Sequence, residues 1–279
     1  MFKNNIHMVI FKEKDHSYRN RYNGKNYLSV TTFIKEFYEP YDEEYWLRYK
    51  TCEALMGKEK KDNDGRYLKV KGFYGLVQSS GLDVIEKKYL DNPRYLEIKE
   101  ELRLSWEENN KKSTDKGTAL HSFKENEMVE AGEWNGLKVF PRIDGYDNIT
   151  RELKEDGVYP EFLLSNDQYM IAGQSDLIIK EGLYAKVRDY KSNKKLVFES
   201  YKHKKMYPPF EQFDDCSFYH YAVQLSTYGF MLEEIGFIVK SLVLEHEGVD
   251  YPVPFCKAEV IKALEMKRGH LSPLKSVLN

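Results

Sequence analysis

An α/β fold, with a mixed central β-sheet flanked by helices, is expected for this chain, and three observations predict it. Three runs rich in branched and aromatic residues follow one another at 158–165, 168–180 and 183–190, separated by polar turn residues, as adjacent strands do. Apolar residues at helical spacing bracket them, at 117–130 before and 216–234 after. A further apolar run at 237–244 supplies another strand. Helices before and after a sheet can bury both of its faces. At 279 residues the chain can bury one good core, or a core and a smaller lobe, and 41% hydrophobic with 32% charged residues suits a soluble globular protein. No apolar run is long enough for a bilayer, and the N-terminus lacks the apolar stretch of a signal peptide. An intracellular protein without a membrane partner is therefore expected.

Taken in order, residues 6 to 32 read as a hairpin. Met8-Val-Ile-Phe11 and Tyr18 to Tyr22 alternate, and Asn23-Gly24 is a turn signal. Ser29-Val-Thr-Thr32 leads into a helix, with Ser29 or a nearby Thr as its cap. Tyr41 to Met56 carries Tyr45, Trp46, Tyr49, Cys52, Leu55 and Met56 at helical spacing, and Gly57 to Gly65 reads as an exposed loop. Leu82 to Leu90 suggests a short helix, and Pro93 can start another with Tyr95, Ile98, Leu102 and Trp106 on one face. Residues 1–112 are thus expected to form an N-terminal hairpin and helical lobe packed on a core of residues 113–279. Gly117 opens a separate helix, with Asp115 as candidate cap. Glu133 to Asp147 reads as a turn-rich insertion, and 149–155 as helical. Residues 194–215 look like a long loop, Pro252 and Pro254 break the chain, and 259–268 reads as a final helix.

The chemistry sits where the strand pattern breaks or ends. Asp176 closes a bend marked by Gly173, and Asp189 and Lys191 lie two residues apart in a strand, on one face. If the strands pair, Asp176 comes alongside. Two gathered carboxylates repel unless a cation sits between them, and hard oxygen ligands favour Mg²⁺ or Mn²⁺. A lysine beside such an ion suits a hydrolysis. His121 and Glu125, four apart, share a helix face, as do Gln224 and Tyr228. Each residue also has a bland reading. A D-x-K triplet recurs by chance, an aspartate can cap a turn, and a helical His, Gln or Tyr usually packs. Their combination, in this order, outweighs those readings.

Net charge is only −2, so no global nucleic-acid signature exists, but Lys186 to Lys205 carries eight Lys or Arg against two acids. Lys194 and Lys195, just past the D-x-K triplet, are candidates to hold a phosphate backbone; the bland reading is a solvated loop. Cys52, Cys216 and Cys256 are widely spaced with no C-x-x-C pair, and read as free thiols. Most of the 22 tyrosines are expected to pack, with a few free to stack on unpaired bases.

Glu161, Gly173-Gln-Ser-Asp176 and Asp189-Tyr-Lys191 resemble the active-site motifs of the PD-(D/E)XK nuclease superfamily. Gly117-Thr-Ala-Leu-His121, followed by Glu125, resembles the histidine motif of its RecB-type exonuclease branch, and Gln224-Leu-Ser-Thr-Tyr228 resembles that branch's Q-x-x-x-Y motif. Asp15-His16-Ser-Tyr18 and Leu28-Ser-Val-Thr-Thr32 are similar to the start of phage and mitochondrial genome maintenance exonucleases. The pattern spans the chain but is dense only from Gly117 to Tyr228. Asp189 stands where many relatives carry Glu, an accepted alternative.

The resemblance implies a restriction-endonuclease-like core and a metal-dependent DNA exonuclease. Its partner is DNA, single-stranded or with free ends, in replication, recombination or repair of phage or cellular DNA. His121, Asp176 and Asp189, with the Tyr190 carbonyl, are implied to bind Mg²⁺ or Mn²⁺, and Glu161 to ligate through water or hold a second ion. Lys191 is implied to orient water and stabilise the transition state. Gln224 and Tyr228 border the site, and Glu125 supports it from outside the ligands. Some members of the branch carry an iron–sulfur cluster on four cysteines; three cannot supply that set, so no cluster is expected. The alternatives are a structure-selective or nicking endonuclease using the same site, and a nucleic-acid-binding protein whose nuclease site has decayed.

Overall fold

The structure, a computed structural model, describes residues 9–142 and 148–268. Met8 and part of the expected insertion, 143–147, lie outside them. The N-terminal strands are β1 (Val9–Lys12), β2 (Ser17–Asn20) and β3 (Asn26–Ser29), followed by helices α1 (Val30–Ile34), α2 (Glu43–Met56), α3 (Phe73–Ser80), α4 (Leu82–Glu86) and α5 (Arg94–Ala131). Then come β4 (Glu133–Trp134), β5 (Leu137–Lys138), β6 (Asn148–Ile149), β7 (Gly157–Asn166), β8 (Ile171–Glu181) and β9 (Tyr184–Lys191). Helix α6 (Ser217–Glu234), β10 (Ile238–His246), β11 (Val249–Pro252) and α7 (Lys257–Arg268) complete the described chain.

The fold is α/β, with a large mixed sheet flanked by helices. Among the described residues the main sheet has nine strands, in the order β11-β10-β9-β8-β3-β2-β1-β6, with β7 on β8. Strand β8 is the hub. It is antiparallel to β7 along its whole length, pairs its second half with β9, and takes β3 in parallel at its start. Strand β10 runs parallel to β9. One face of the sheet packs on α1, α6 and α7 through Phe33, Ile178, Val187, Leu225, Leu242 and Val260. The opposite face is covered near Leu177, Ile179 and Val158 by Leu120 and Met128 of α5 and by the β4–β5 hairpin.

By contact the chain divides into one unit of Met1–Glu39 with Lys116–Asn279, and a second of Pro40–Asp115. The boundary expected at 112/113 therefore differs in one respect. The N-terminal hairpin belongs with the sheet, because β3 adds to β8 and β1 to β6. Ser29 caps α1, its side chain accepting from the Thr32 amide. The second unit is helical and packs Tyr49, Cys52, Phe73, Ile85 and Ile98 together. Trp46 and Met56, read from spacing as part of a buried stripe, are 38% and 40% exposed.

Three local expectations fail for identifiable reasons. No helix starts at Gly117: α5 is continuous from Arg94 to Ala131, with Asp115 in its interior. Glycine costs a helix interior about 1 kcal/mol, too little to break so long a run. Residues 149–155 are not helical, because Ile149 pairs with Ile10 instead. Nor does Gly173 mark a bend, since β8 runs unbroken through it. A Cβ there would lie 2.7 Å from Cε1 of Tyr228 and 2.9 Å from Cγ2 of Val30, so the bare glycine makes room for the α6 tyrosine.

Candidate active site

The register of β7 on β8 runs Pro160↔Leu177 then Phe162↔Ser175, which sets Glu161 across from Asp176. The pairing of β8 with β9 ends at Leu177↔Arg188, and one step further Asp176 meets Asp189. Three carboxylates thus occupy one lateral row over three adjacent strands. Regular pairing gives way along that row. Glu161 is left-handed, with φ of 47°. Tyr159, Phe162 and Leu164 all join one cluster on the α6 face, which strict alternation forbids, and the twist at Glu161 supplies the switch. A non-glycine residue held at positive φ costs energy that the surrounding structure must overcome. Here the Asn148 amide donates to the Glu161 carbonyl at 2.8 Å, and the Gln174 amide donates to its carboxylate.

At Asp176, Oδ2 accepts from the Tyr190 backbone amide at 2.6 Å, replacing a ladder bond. Its Oδ1 lies 3.4 Å from Nδ1 of His121, and Glu161 Oε1 lies 3.7 Å from the same nitrogen. The other ring nitrogen, Nε2, faces the Tyr190 carbonyl at 3.1 Å. A proton on Nε2 would donate to that carbonyl and leave the Nδ1 lone pair aimed at the two acids. One ligand atom each from His121, Glu161 and Asp176 lie within 4.8 Å of one another. Asp189 is 1% exposed, and neither of its buried oxygens has a hydrogen bond of good geometry. The Lys191 ammonium sits 2.6 Å from Asp189 Oδ2 and 4.9 Å from the Tyr221 ring centre.

These neighbours displace the ordinary protonation equilibria. Burial, and then the negative charge of Asp189, push the Asp176 carboxyl up to about 8 against the pull of His121 and Lys191. Burial disfavours the His121 imidazolium, but Glu161, Asp176 and Asp189 outweigh it and raise His121 to about 9. Burial likewise opposes the Lys191 ammonium, and Asp189 and Asp176 overcome it, so its pKa is raised. The lysine is held charged.

His121, Glu125, Glu161, Asp176, Lys191, Gln224 and Tyr228 line one cleft of about 540 Å³. Asp189 is buried and does not itself line the cleft. The residues fit a hard divalent cation. Carboxylate oxygens and a neutral imidazole nitrogen are the donors such an ion takes, and among the described residues Asp189 meets only the Lys191 ammonium, which leaves its Oδ1 free to accept. His121, Glu161 and Asp176 form the closest group, and Asp189 stands outside it.

The remaining candidates divide. Gln224 donates to the Tyr228 hydroxyl at 3.2 Å, and both are buried on the cleft-facing side of α6. Glu125 is buried and grips Arg142 through two bonds, Nε to Oε1 at 2.8 Å and Nη2 to Oε2 at 2.6 Å. Lys194 and Lys195 are exposed and do not line the cleft. At least five of the eight cations of the basic run are matched: Lys186 by Glu181, Arg188 by Glu245 and Asp250, Lys191 by Asp189, Lys204 by Glu39, and Lys205 by Asp214. Sequence reasoning passed over Arg142, Arg151 and Asn148, which stand in no recognisable spacing. Gln174 was in view within Gly173-Gln-Ser-Asp176, without a role. The three cysteines are buried and unbridged. No helix among the described residues is long and apolar enough to cross a membrane.

Compared with known proteins, the chain matches no family model. No curated protein matches it either.

Proposed function

We propose that this protein is a divalent-metal-dependent nuclease that hydrolyses phosphodiester bonds in DNA, acting inside the cell on single strands or free ends. The observation that carries this reading is the lateral row of Glu161, Asp176 and Asp189, of which Glu161 and Asp176 line a single cleft together with His121 and Lys191. The likeness of these residues to the PD-(D/E)XK motifs supports it further. Glu161, Asp176, Asp189 and His121 would hold Mg²⁺ or Mn²⁺; the Tyr190 carbonyl, expected to join them, instead faces His121 Nε2, away from the Nδ1 that meets the acids. A bound divalent ion supplies positive charge against which a phosphate and a water can be polarised.

The chain's own residues do the rest. Asp189 and Asp176 keep Lys191 protonated, so its ammonium can donate to a phosphate oxygen and steady the charge that develops in the transition state. The Tyr190 carbonyl and the acids fix the His121 ring from both of its nitrogens. The Gln224–Tyr228 pair borders the site from α6.

The test uses end-labelled linear and circular DNA, single- and double-stranded, with and without Mn²⁺. Metal-dependent release from linear single strands, with circles left intact, is the expected result. Cutting of circular single strands would replace exonuclease by endonuclease. Absence of any metal-dependent cleavage would leave a nucleic-acid-binding protein at most.

A further inference from the structure

Of the cationic side chains in the cleft, Lys191 faces the acids, and Lys35 stands exposed just past the end of the short helix α1. Arg142 differs from both: it is anchored at two levels. Its guanidinium is held side-on by buried Glu125, using Nε and Nη2. Its backbone is fixed by Arg151, whose Nη1 donates to the carbonyls of Phe140 and Pro141 at 2.7 Å each. The Nη2 of Arg151 donates to Pro160 O at 2.6 Å, so the chain just before Arg142 is tied to the strand residue just before Glu161. Arg151 itself packs over the Phe162 ring, 5.3 Å from its centre.

Such anchoring exceeds what a surface ion pair needs. The Arg142 side chain is 39% exposed, lines the cleft, and its Nη1 makes no hydrogen bond among the described residues. A guanidinium whose Nε–Nη2 edge is occupied still presents the two hydrogens of Nη1 and one of Nη2. Those donors are pre-set for an anion with two acceptor oxygens, and the rotamer entropy of the arginine has already been spent on Glu125.

We propose that Arg142, held by Glu125, binds the non-bridging oxygens of a nucleic-acid phosphate next to the one at the acid row. It thereby positions the strand and takes no part in bond cleavage. Glu125 acts through it as a positioning residue. This assignment rests on the nuclease reading of the same cleft and deepens it by naming where the backbone is gripped.

The test measures binding of a labelled single-stranded oligonucleotide in Mg²⁺, in a Lys191→Ala background so that the strand stays whole, over a series of salt concentrations. Arg142→Gln is expected to weaken binding about tenfold and to flatten the slope of log affinity against log salt by about 0.7, the loss of one phosphate contact on a single strand. Arg142→Lys keeps the slope but not the affinity, because the charge remains and the fork is lost. Glu125→Gln weakens binding less than Arg142→Gln. Unchanged affinity and slope in a folded Arg142→Gln protein would overturn the assignment. If that variant does not fold, a folded Arg142→Lys protein that binds as tightly as its parent overturns it equally. Metal-dependent cleavage by the unmutated protein, together with an Arg142 variant that binds normally, sinks only this inference. A parent protein that binds no nucleic acid sinks the nuclease reading with it.

Discussion

Between Lys186 and Lys205 at least five of the eight cations have found an acid, whereas Glu161, Asp176 and Asp189 share one row of the sheet with Lys191 and His121 as the cations facing them. Both stretches look like charge clusters in the chain. In the folded molecule the basic cluster is dissolved into separate pairs, many of them at the surface, where such pairs contribute little. The acidic one is concentrated and buried, where like charges are costly. An arrangement so unfavourable by itself is what a bound cation would relieve, and that is the use proposed for it above. The positive φ of Glu161 belongs to the same account, as strain gathered at the same row.

The sharpest way to break this contrast is to remove one member of the acid row or its lysine. Lys191→Ala and Asp176→Asn should each lower the rate of Mn²⁺-dependent DNA cleavage by about 10²–10⁴. Variants as fast as the parent would show that the row is not the reacting centre. Next in size is the pH dependence of metal binding. Protons on Asp176, with its pKa up to about 8, and on His121, up to about 9, compete with the ion. Mn²⁺ affinity should therefore climb as pH rises towards that window, about tenfold per unit for each proton displaced, and then level off. Calorimetry in buffers of different ionisation enthalpy counts those protons, and a flat profile would contradict the assigned ligands.

A smaller effect reads the cost of the row directly. The folded-state pKa of Asp176 lies above its unfolded value of 3.8. Its contribution to stability is thus full below that value and is lost as pH rises through about 8. Asp176→Asn should stabilise the metal-free protein at mildly alkaline pH by about 0.5–2 kcal/mol, since His121 loses an acidic neighbour and offsets part of the gain. The difference in Tm should vanish in acid; a variant less stable at every pH would mean that the hydrogen bond to Tyr190 outweighs the repulsion. Smallest of all is the effect expected in the basic run. Lys204→Ala with Lys205→Ala should change unfolding free energy by no more than about 1 kcal/mol and leave cleavage unaltered, because both lysines are exposed. A marked loss of DNA cleavage there would restore the run as a binding surface.

Much of this was legible in the chain itself. Alternation and β-branched content located β7 to β10 to within a few residues, and helical spacing located α6, because these signals are carried by neighbours a few positions apart. The two-residue step from Asp189 to Lys191 fixed their common side, and the 2.6 Å separation follows from it. Local pattern misled where a long-range partner intervened. Ile149 joined β1, the residues around Gly117 continued a helix begun at Arg94, and Gly173 proved to answer a ring on α6.

The amino-acid sequence alone determined the fold class and which acids, histidine and lysine to watch, because period and order are properties of the chain. Only the tertiary structure decided that Glu161 turns left-handed, that Glu125 grips Arg142, and that much of the basic run is paired with acids. Those outcomes depend on which strand lies beside which, and a carboxylate takes its partner from whatever the fold brings within about 4 Å, however far away it lies along the chain.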